Sequence, residues 1–253
     1  MTAAEARSVD AREQEKFARM AYDWWDEQGP MRPLHRLNPA RLGFLRAAAE
    51  AHFGRGADDP APLQGLSVLD VGCGAGLLSE PLHRLGGAVT GIDATQEVIE
   101  AARVHADAQG LAIDYRLSTV EAMAAEGRRF DLVVASEVVE HVPDPGGFLA
   151  GCCSLVAPGG ALMLSTLNRT PRAFLLAIVG AEYLLRLVPR GTHDWRRFLK
   201  PSEVAAALRA HGLSVRRLEG LVYNPLDEGW RLSRRDLSVN YLLFAARPSP
   251  DGD

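Results

Sequence analysis

Val68-Leu69-Asp70-Val71-Gly72-Cys73-Gly74-Ala75-Gly76 decides the fold of this 253-residue chain. An apolar strand runs straight into a glycine turn, and a helical pattern follows. Val89-Thr90-Gly91-Ile92-Asp93 reads as a second strand ending in an acid, Asp93, seventeen residues beyond Gly76. Together they describe a nucleoside site. Glycines let the backbone approach a ligand closely, and a strand-tip carboxylate accepts hydrogen bonds from two ribose hydroxyls.

The glycine spacing narrows the ligand. A dinucleotide fingerprint is G-x-G-x-x-G, with the helix N-terminus against a pyrophosphate. Here the glycines are Gly72, Gly74 and Gly76, and Leu77 stands where the third glycine is needed. Asp70, just before the turn, is a poor neighbour for a pyrophosphate and suits a cation, such as the amino group of S-adenosylmethionine. The D-x-G-x-G-x-G pattern resembles motif I of the class I methyltransferases, which implies that methyl donor rather than NAD. A plain strand–turn–helix explains one glycine, but not three with both acids.

Composition fits one large domain with elaborations: 47% apolar, 24% charged, net charge −4. No nucleic-acid face is expected from that charge. Cys73, Cys152 and Cys153 are odd in number and two are adjacent, so no disulfide framework is expected. A reducing compartment is expected, and a cytoplasmic location with it. No signal peptide is read, and no apolar run reaches the roughly 20 residues of a membrane span.

Residues 10–27 read as a helix ending in Trp24-Trp25-Asp26, broken by Gly29-Pro30 and Pro33. Asn38-Pro39 predicts a second helix, with Asn38 as N-cap and Pro39 at its first position. These form an N-terminal helical cover over residues 1–53. The main domain takes 54–253. In it, strands at 66–71, 88–93, 112–117, 130–135 and 160–166 alternate with helices near 76–86, 95–109, 121–126 and 146–156. Pro158-Gly159-Gly160 reads as the turn into the fifth strand. A helix at 201–211 and strands at 213–222 and 239–246 complete a Rossmann-like, mainly parallel seven-stranded sheet with helices on both faces.

Residues 167–200 break this rhythm. Apolar runs at 174–179 and 183–188 are flanked by Arg169, Arg172, Arg186, Arg190, Arg196, Arg197 and Lys200. Only Glu182 and Asp194 oppose them, a local excess of five positive charges. Three structures share this pattern: an interfacial helix, a lid over an apolar pocket, and a core hairpin.

Ligands bind at the carboxyl ends of parallel strands. After the fourth strand comes Ser136-Glu137-Val138-Val139-Glu140-His141. On a helix, Glu137, Glu140 and His141 would share one face. Two carboxylates and an imidazole suit a divalent cation, with Mg or Mn favoured. The same residues suit a metal-free pair in which Glu140 and His141 take a proton from an acceptor hydroxyl. Ser136 ends the strand beside the donor. Thr119 and Glu121 are candidates for the adenine. Arg41, on the preceding helix, is placed to pair with the donor carboxylate. Trp24 and Trp25 are packing residues or a cover over an apolar or quinoid substrate.

Further motifs carry a more specific likeness. Phe17-x-x-x-Ala21-x-x-Trp24-Trp25-Asp26, Leu34-His35-x-x-Asn38-Pro39-x-Arg41, Glu137 to Pro145, and Ser165-Thr166-Leu167-Asn168-Arg169 resemble the ubiquinone-biosynthesis O-methyltransferases. So do segments of the insertion, Gly220-Leu221-x-Tyr223-Asn224-Pro225 and Val239-Asn240-Tyr241. The likeness covers about residues 14–246. It implies methylation of catechol-type hydroxyls on polyprenylated substrates, 3-demethylubiquinol and a polyprenyl-dihydroxyphenol. It places donor binding on Arg41, Gly72, Asp93 and Ser136, beside the Asp70 and Gly74 read above. It places a divalent cation, Mg or another, on Glu137, Glu140 and His141. It implies a membrane-lipid partner for residues 170–200, at the inner face of the membrane, and other enzymes of the pathway as partners. Ser136 departs from a bulkier residue in some members, which leaves a backbone contact as its expected role. Another small phenol or a quinone is the alternative acceptor.

Overall fold

The computed structural model describes residues 8–57, 59–176, 194–224 and 229–249. Eight strands form one sheet in the order β3-β2-β1-β4-β5-β8-β6-β7. β1 (Ser67–Val71), β2 (Ala88–Asp93), β3 (Asp114–Leu117), β4 (Phe130–Ser136) and β5 (Val156–Leu167) run parallel. β8 (Asn240–Ala246) is antiparallel to both β5 and β6 (Ser214–Asn224), and β7 (Gly229–Ser233) closes the edge antiparallel to β6. Strand order reverses between β1 and β4, so the crevice for a ligand opens at their carboxyl ends.

Alternate residues of each strand feed opposite cores. Leu69, Val71, Val133, Leu162 and Leu243 pack with Val120, Phe148, Cys152 and Val204. These last come from α5 (Val120–Ala125), α6 (Pro145–Ser154) and α8 (Pro201–Ala210). Val68, Val134, Met163 and Phe244 face the other way, against Phe44, Leu45, Ala49 and Leu82. Those belong to α2 (Arg32–His52) and α3 (Ser79–Arg84). On the β2–β3 side, Ile99 and Ala102 of α4 (Gln96–Ala108) pack with Tyr115 and Cys73. All three cysteines are buried and unpaired.

Four details differ from the sequence expectation. The sheet has eight strands where seven were expected: Trp230 and Leu232 alternate in β7, which pairs Tyr223 with Trp230. α2 begins at Arg32 with Pro33 in its first turn, so Pro39 lies inside the helix and Asn38 is a buried helical residue, not an N-cap. Pro158-Gly159 sits within β5, where pairing to β4 jumps from Phe130↔Val156 to Leu132↔Ala161. A bulge takes the place of the expected turn. Residues 137–141 form a turn, closed by a hydrogen bond from His141 N to the Val138 carbonyl, and not a helix.

Much of the 167–200 insertion, residues 177–193, lies outside the described residues. Its flanks are described. Phe174, Leu175 and Leu176 are 42%, 58% and 51% exposed. Three of the basic residues are engaged: Arg169 with Glu203, Arg172 with Asp236, and Arg197 with Asp10. The local positive excess is therefore smaller at the surface than the sequence suggests. Among the described residues no helix is long and apolar enough to cross a membrane.

Candidate active site

The crevice is built from the glycine turn outward. Gly72 and Gly74 have φ of +67° and +53°, a conformation that disfavours a Cβ. A Cβ on Gly72 would lie 2.5 Å from Val138, and one on Gly74 only 2.3 Å from the Trp24 ring. Protein side chains thus claim the space that these two glycines free. Trp24 is buried, and Trp25 donates from its indole to the Ala75 carbonyl at 3.0 Å while stacking on His105. The tryptophan pair packs onto the glycine turn, and Trp24 also lines the crevice.

Arg41, Gly72, Gly74, Asp93, Ser136, Glu137 and His141 all line one cavity. Asp93 Oδ2 accepts from Gly74 N at 3.1 Å, and Oδ1 accepts from Thr95 N at 2.9 Å. Burial holds its carboxyl above the ordinary range against those two donors. Asp70 lies buried behind the turn and accepts from Ser79 Oγ at 2.6 Å. Thr119 lines the cavity and caps α5, and Glu121 accepts from Ser8 Oγ at 2.6 Å.

Arg41 is 4% exposed; its Nε makes no hydrogen bond, and its Nη2 has only a long ion pair with Glu137 Oε1 at 3.5 Å. Burial lowers its pKa, opposed by Glu137, Glu140 and Asp70. A buried guanidinium with unused donors beside a cavity is a seat for a carboxylate. Asp93 and Arg41 on the cavity wall therefore fit the donor's ribose and carboxylate, whereas Asp70, the expected ammonium partner, lies behind the turn and outside the cavity lining.

The expected metal set does not converge in this arrangement. Glu137, at φ +55°, accepts from Ser165 Oγ at 2.7 Å and pairs with Arg41 at 3.5 Å. Glu140 is buried and accepts from Thr166 Oγ1 at 2.9 Å. His141 Nδ1 meets Glu13 Oε2 at 3.1 Å. Among the described residues no group of three or more His, Cys, Asp or Glu side chains is arranged to hold a metal ion. Each member answers to a different protein partner, because the turn replaces the helix that would have aligned them.

On the other wall, Phe17 stood in a family motif, but the sequence offered no signal for Glu13 and Gln14. α1 (Ala11–Met20) lays Glu13, Gln14 and Phe17 along the cavity. Gln14 donates to the Ala94 carbonyl at 2.7 Å, and Phe17 packs edge-on against His141 at 5.7 Å. Arg197, near the end of the insertion, reaches Asp10 at 3.2 Å.

Asp70 carries a test of its own. Burial pushes its carboxyl up to about 7, with Asp93 adding to the rise and Ser79 and Arg41 opposing it. The folded state thus binds this proton more tightly than the unfolded state. Its contribution to stability falls as pH climbs from about 4 to 7, and the full penalty stands above that. Asp70→Asn removes the charge and keeps an acceptor for Ser79. The expected gain is about 1–3 kcal/mol at pH 8, shrinking toward pH 5, while donor binding weakens. Thermal melts at both pH values check it; an equal shift at both would sink it.

A mainly parallel sheet, a glycine turn and an acid at the tip of the next strand define a class I, S-adenosylmethionine-dependent methyltransferase. Residues 69–164 match the methyltransferase domain family. In shape, the chain is similar to magnesium protoporphyrin IX methyltransferase from Synechocystis PCC 6803 with bound SAH (TM-score 0.57, 22% identity, 90% of this chain and 99% of that one). It is also similar to an S-adenosylmethionine-dependent methyltransferase from Clostridium acetobutylicum (TM-score 0.62, 14% identity, 93% and 99%). In sequence, it is 52% identical over 249 residues to the ubiquinone biosynthesis O-methyltransferase of Methylobacterium sp. (strain 4-46), spanning 98% of this chain and 100% of that protein. The namesake of Dinoroseobacter shibae is 50% identical over 96% of this chain and 98% of its own length. The chain belongs to the ubiquinone biosynthesis O-methyltransferase family.

Proposed function

We propose that this enzyme methylates a catechol-type hydroxyl of prenylated ubiquinone precursors, 3-demethylubiquinol and a polyprenyl-dihydroxyphenol. The full-length likeness to ubiquinone biosynthesis O-methyltransferases carries this reading. S-adenosylmethionine supplies an electrophilic sulfonium methyl. Asp93 holds the ribose, Arg41 the carboxylate, Asp70 the ammonium side from behind the turn, and Gly72, Gly74 and Ser136 the backbone wall. Fixing both reactants in line at near-attack distance is the main source of acceleration in such a transfer. His141 takes the acceptor proton, in the field of Glu140 and Glu13.

The test is transfer of labelled methyl to a short-tailed 3-demethylubiquinol, with and without a chelator. Transfer is expected; donor binding without transfer would point to another phenol or a quinone. A divalent cation on Glu137, Glu140 and His141 remains the family's expectation. Rates unmoved by chelation agree with the described geometry. Loss of transfer would mean that the 137–141 turn rearranges around a cation.

The acceptor's tail points to a lipid surface, and the exposed Phe174, Leu175 and Leu176 are the described residues suited to meet it. We place the enzyme at the cytoplasmic face of the membrane on this basis, where other enzymes of the pathway would meet it. Joint replacement of these three by serine is expected to cut liposome binding at least ten-fold, since each buried apolar side chain contributes roughly 1.5–3 kcal/mol. Turnover of a short-tailed substrate is expected to fall much less. Unchanged sedimentation with liposomes would rule this surface out.

A further inference from the structure

We infer that Ser165 and Asn38 are positioning residues for the donor's carboxylate, holding Arg41 from two sides of its buried guanidinium. This rests on the reading that Arg41 receives that carboxylate.

On one side stands β5. Ser136 and Ser165 are paired across β4 and β5, and their hydroxyls meet at 2.8 Å. Ser165 is fully buried, so its hydroxyl has little choice of partners. It donates to Glu137 Oε1 at 2.7 Å, and its carbonyl accepts from Glu137 N at 3.0 Å. Two bonds from one residue thus fix a glutamate whose backbone is in the left-handed region, φ +55°. Left to itself, a glutamate there gains by relaxing out of that conformation. The same Oε1 faces Arg41 Nη2 at 3.5 Å.

On the other side stands α2 itself. Asn38 lies one turn before Arg41 and is buried. Its Nδ2 donates to the Leu77 carbonyl beyond the glycine turn at 2.8 Å, which sets the amide's orientation. Its Oδ1 then accepts from Arg41 Nη1 at 3.5 Å. Both contacts to the guanidinium are long. They steer the group by charge and dipole, holding Nη1 and Nη2 only weakly and leaving Nε without a hydrogen bond. A planar fork recognises a carboxylate well only when its plane is preset.

A merely structural role would weaken every ligand of the cleft. A positioning role weakens only ligands that carry the carboxylate. S-adenosylhomocysteine has the amino-acid arm, and 5′-methylthioadenosine has the same adenosine without it. For Ser165→Ala, calorimetry is expected to show S-adenosylhomocysteine bound about ten-fold more weakly, because a hydrogen bond to a charged group is lost. Affinity for 5′-methylthioadenosine is expected to stay unchanged. Ser165→Cys, close in size but a weak donor, and Asn38→Ala should show the same selectivity. An equal loss for both ligands, or no loss for either, would overturn the proposal. Arg41→Met separates the two layers of inference. Loss of discrimination between the ligands in Arg41→Met but not in Ser165→Ala would overturn the positioning role alone. Retained discrimination in Arg41→Met would overturn the reading of Arg41 and the proposal with it.

Discussion

Replacing His141 with alanine is expected to lower the single-turnover rate of methyl transfer by about 10²–10⁴-fold, the range for removal of a positioned general base. The argument runs from the turn at 137–141. That turn leaves Glu140 buried and brings His141 to the cavity wall, where Phe17 packs against its ring edge-on and Glu13 meets Nδ1. A carboxylate on Nδ1 fixes the proton there and directs the other nitrogen to change charge. Burial alone would depress this imidazole. The Glu13 hydrogen bond and the Glu140 and Glu13 charges outweigh it, and the pKa stands above its ordinary value. Only the neutral ring accepts a proton. The wild-type rate should therefore rise with pH through that elevated pKa and level off above it. Glu13→Gln keeps an acceptor but removes a charge, so the rise should move to lower pH. A His141→Ala rate within a few-fold of wild type would remove His141 from the chemistry.

The features legible in the sequence were those written in short-range patterns. An apolar run, three glycines and a strand-tip acid sit within a few residues of one another, and backbone sterics leave them one arrangement. Register then follows: Asp70 beside Gly91 and Val134 fixes where Asp93 and Ser136 emerge. The misread features had local signals that pointed two ways. Pro33 and Pro39 both suit a helix start, and burial of Leu37 and Asn38 favours the earlier one. Glu137-x-x-Glu140-His141 has helical spacing, but Ser165 and Arg41 draw Glu137 into a left-handed turn that no propensity announces. Contacts that join distant segments had no signal. Glu13 is one charged residue among several on an amphipathic helix until the fold sets it against His141. Ser165 is one hydroxyl in a buried strand until β4 brings Ser136 and Glu137 beside it.

Asp93→Asn is expected to weaken binding of S-adenosylhomocysteine on the order of a hundred-fold, from two charge-assisted hydrogen bonds to the ribose at roughly 1.5–3 kcal/mol each, partly kept by the amide oxygen. Asp93 has a second duty that must be separated from this one. Its two oxygens each take a backbone N–H, from Gly74 and from Thr95. Asparagine can satisfy one of them and turns an NH₂ toward the other, which should cost about 1–2 kcal/mol of stability. Melting temperature reports that part, and calorimetry at a temperature well below the melt reports the ligand part. The ribose is common to S-adenosylhomocysteine and 5′-methylthioadenosine, so both should weaken alike, the opposite of the selectivity expected at Ser165. The pH dependence has a definite sign. Burial raises the Asp93 carboxyl above the ordinary range, so wild-type affinity for either ligand should start to fall at a higher pH on acidification than an exposed aspartate would give. Asp93→Asn should lose that component of the pH dependence. Equal affinities in wild type and variant at pH 8 would leave Asp93 only its hold on the glycine turn.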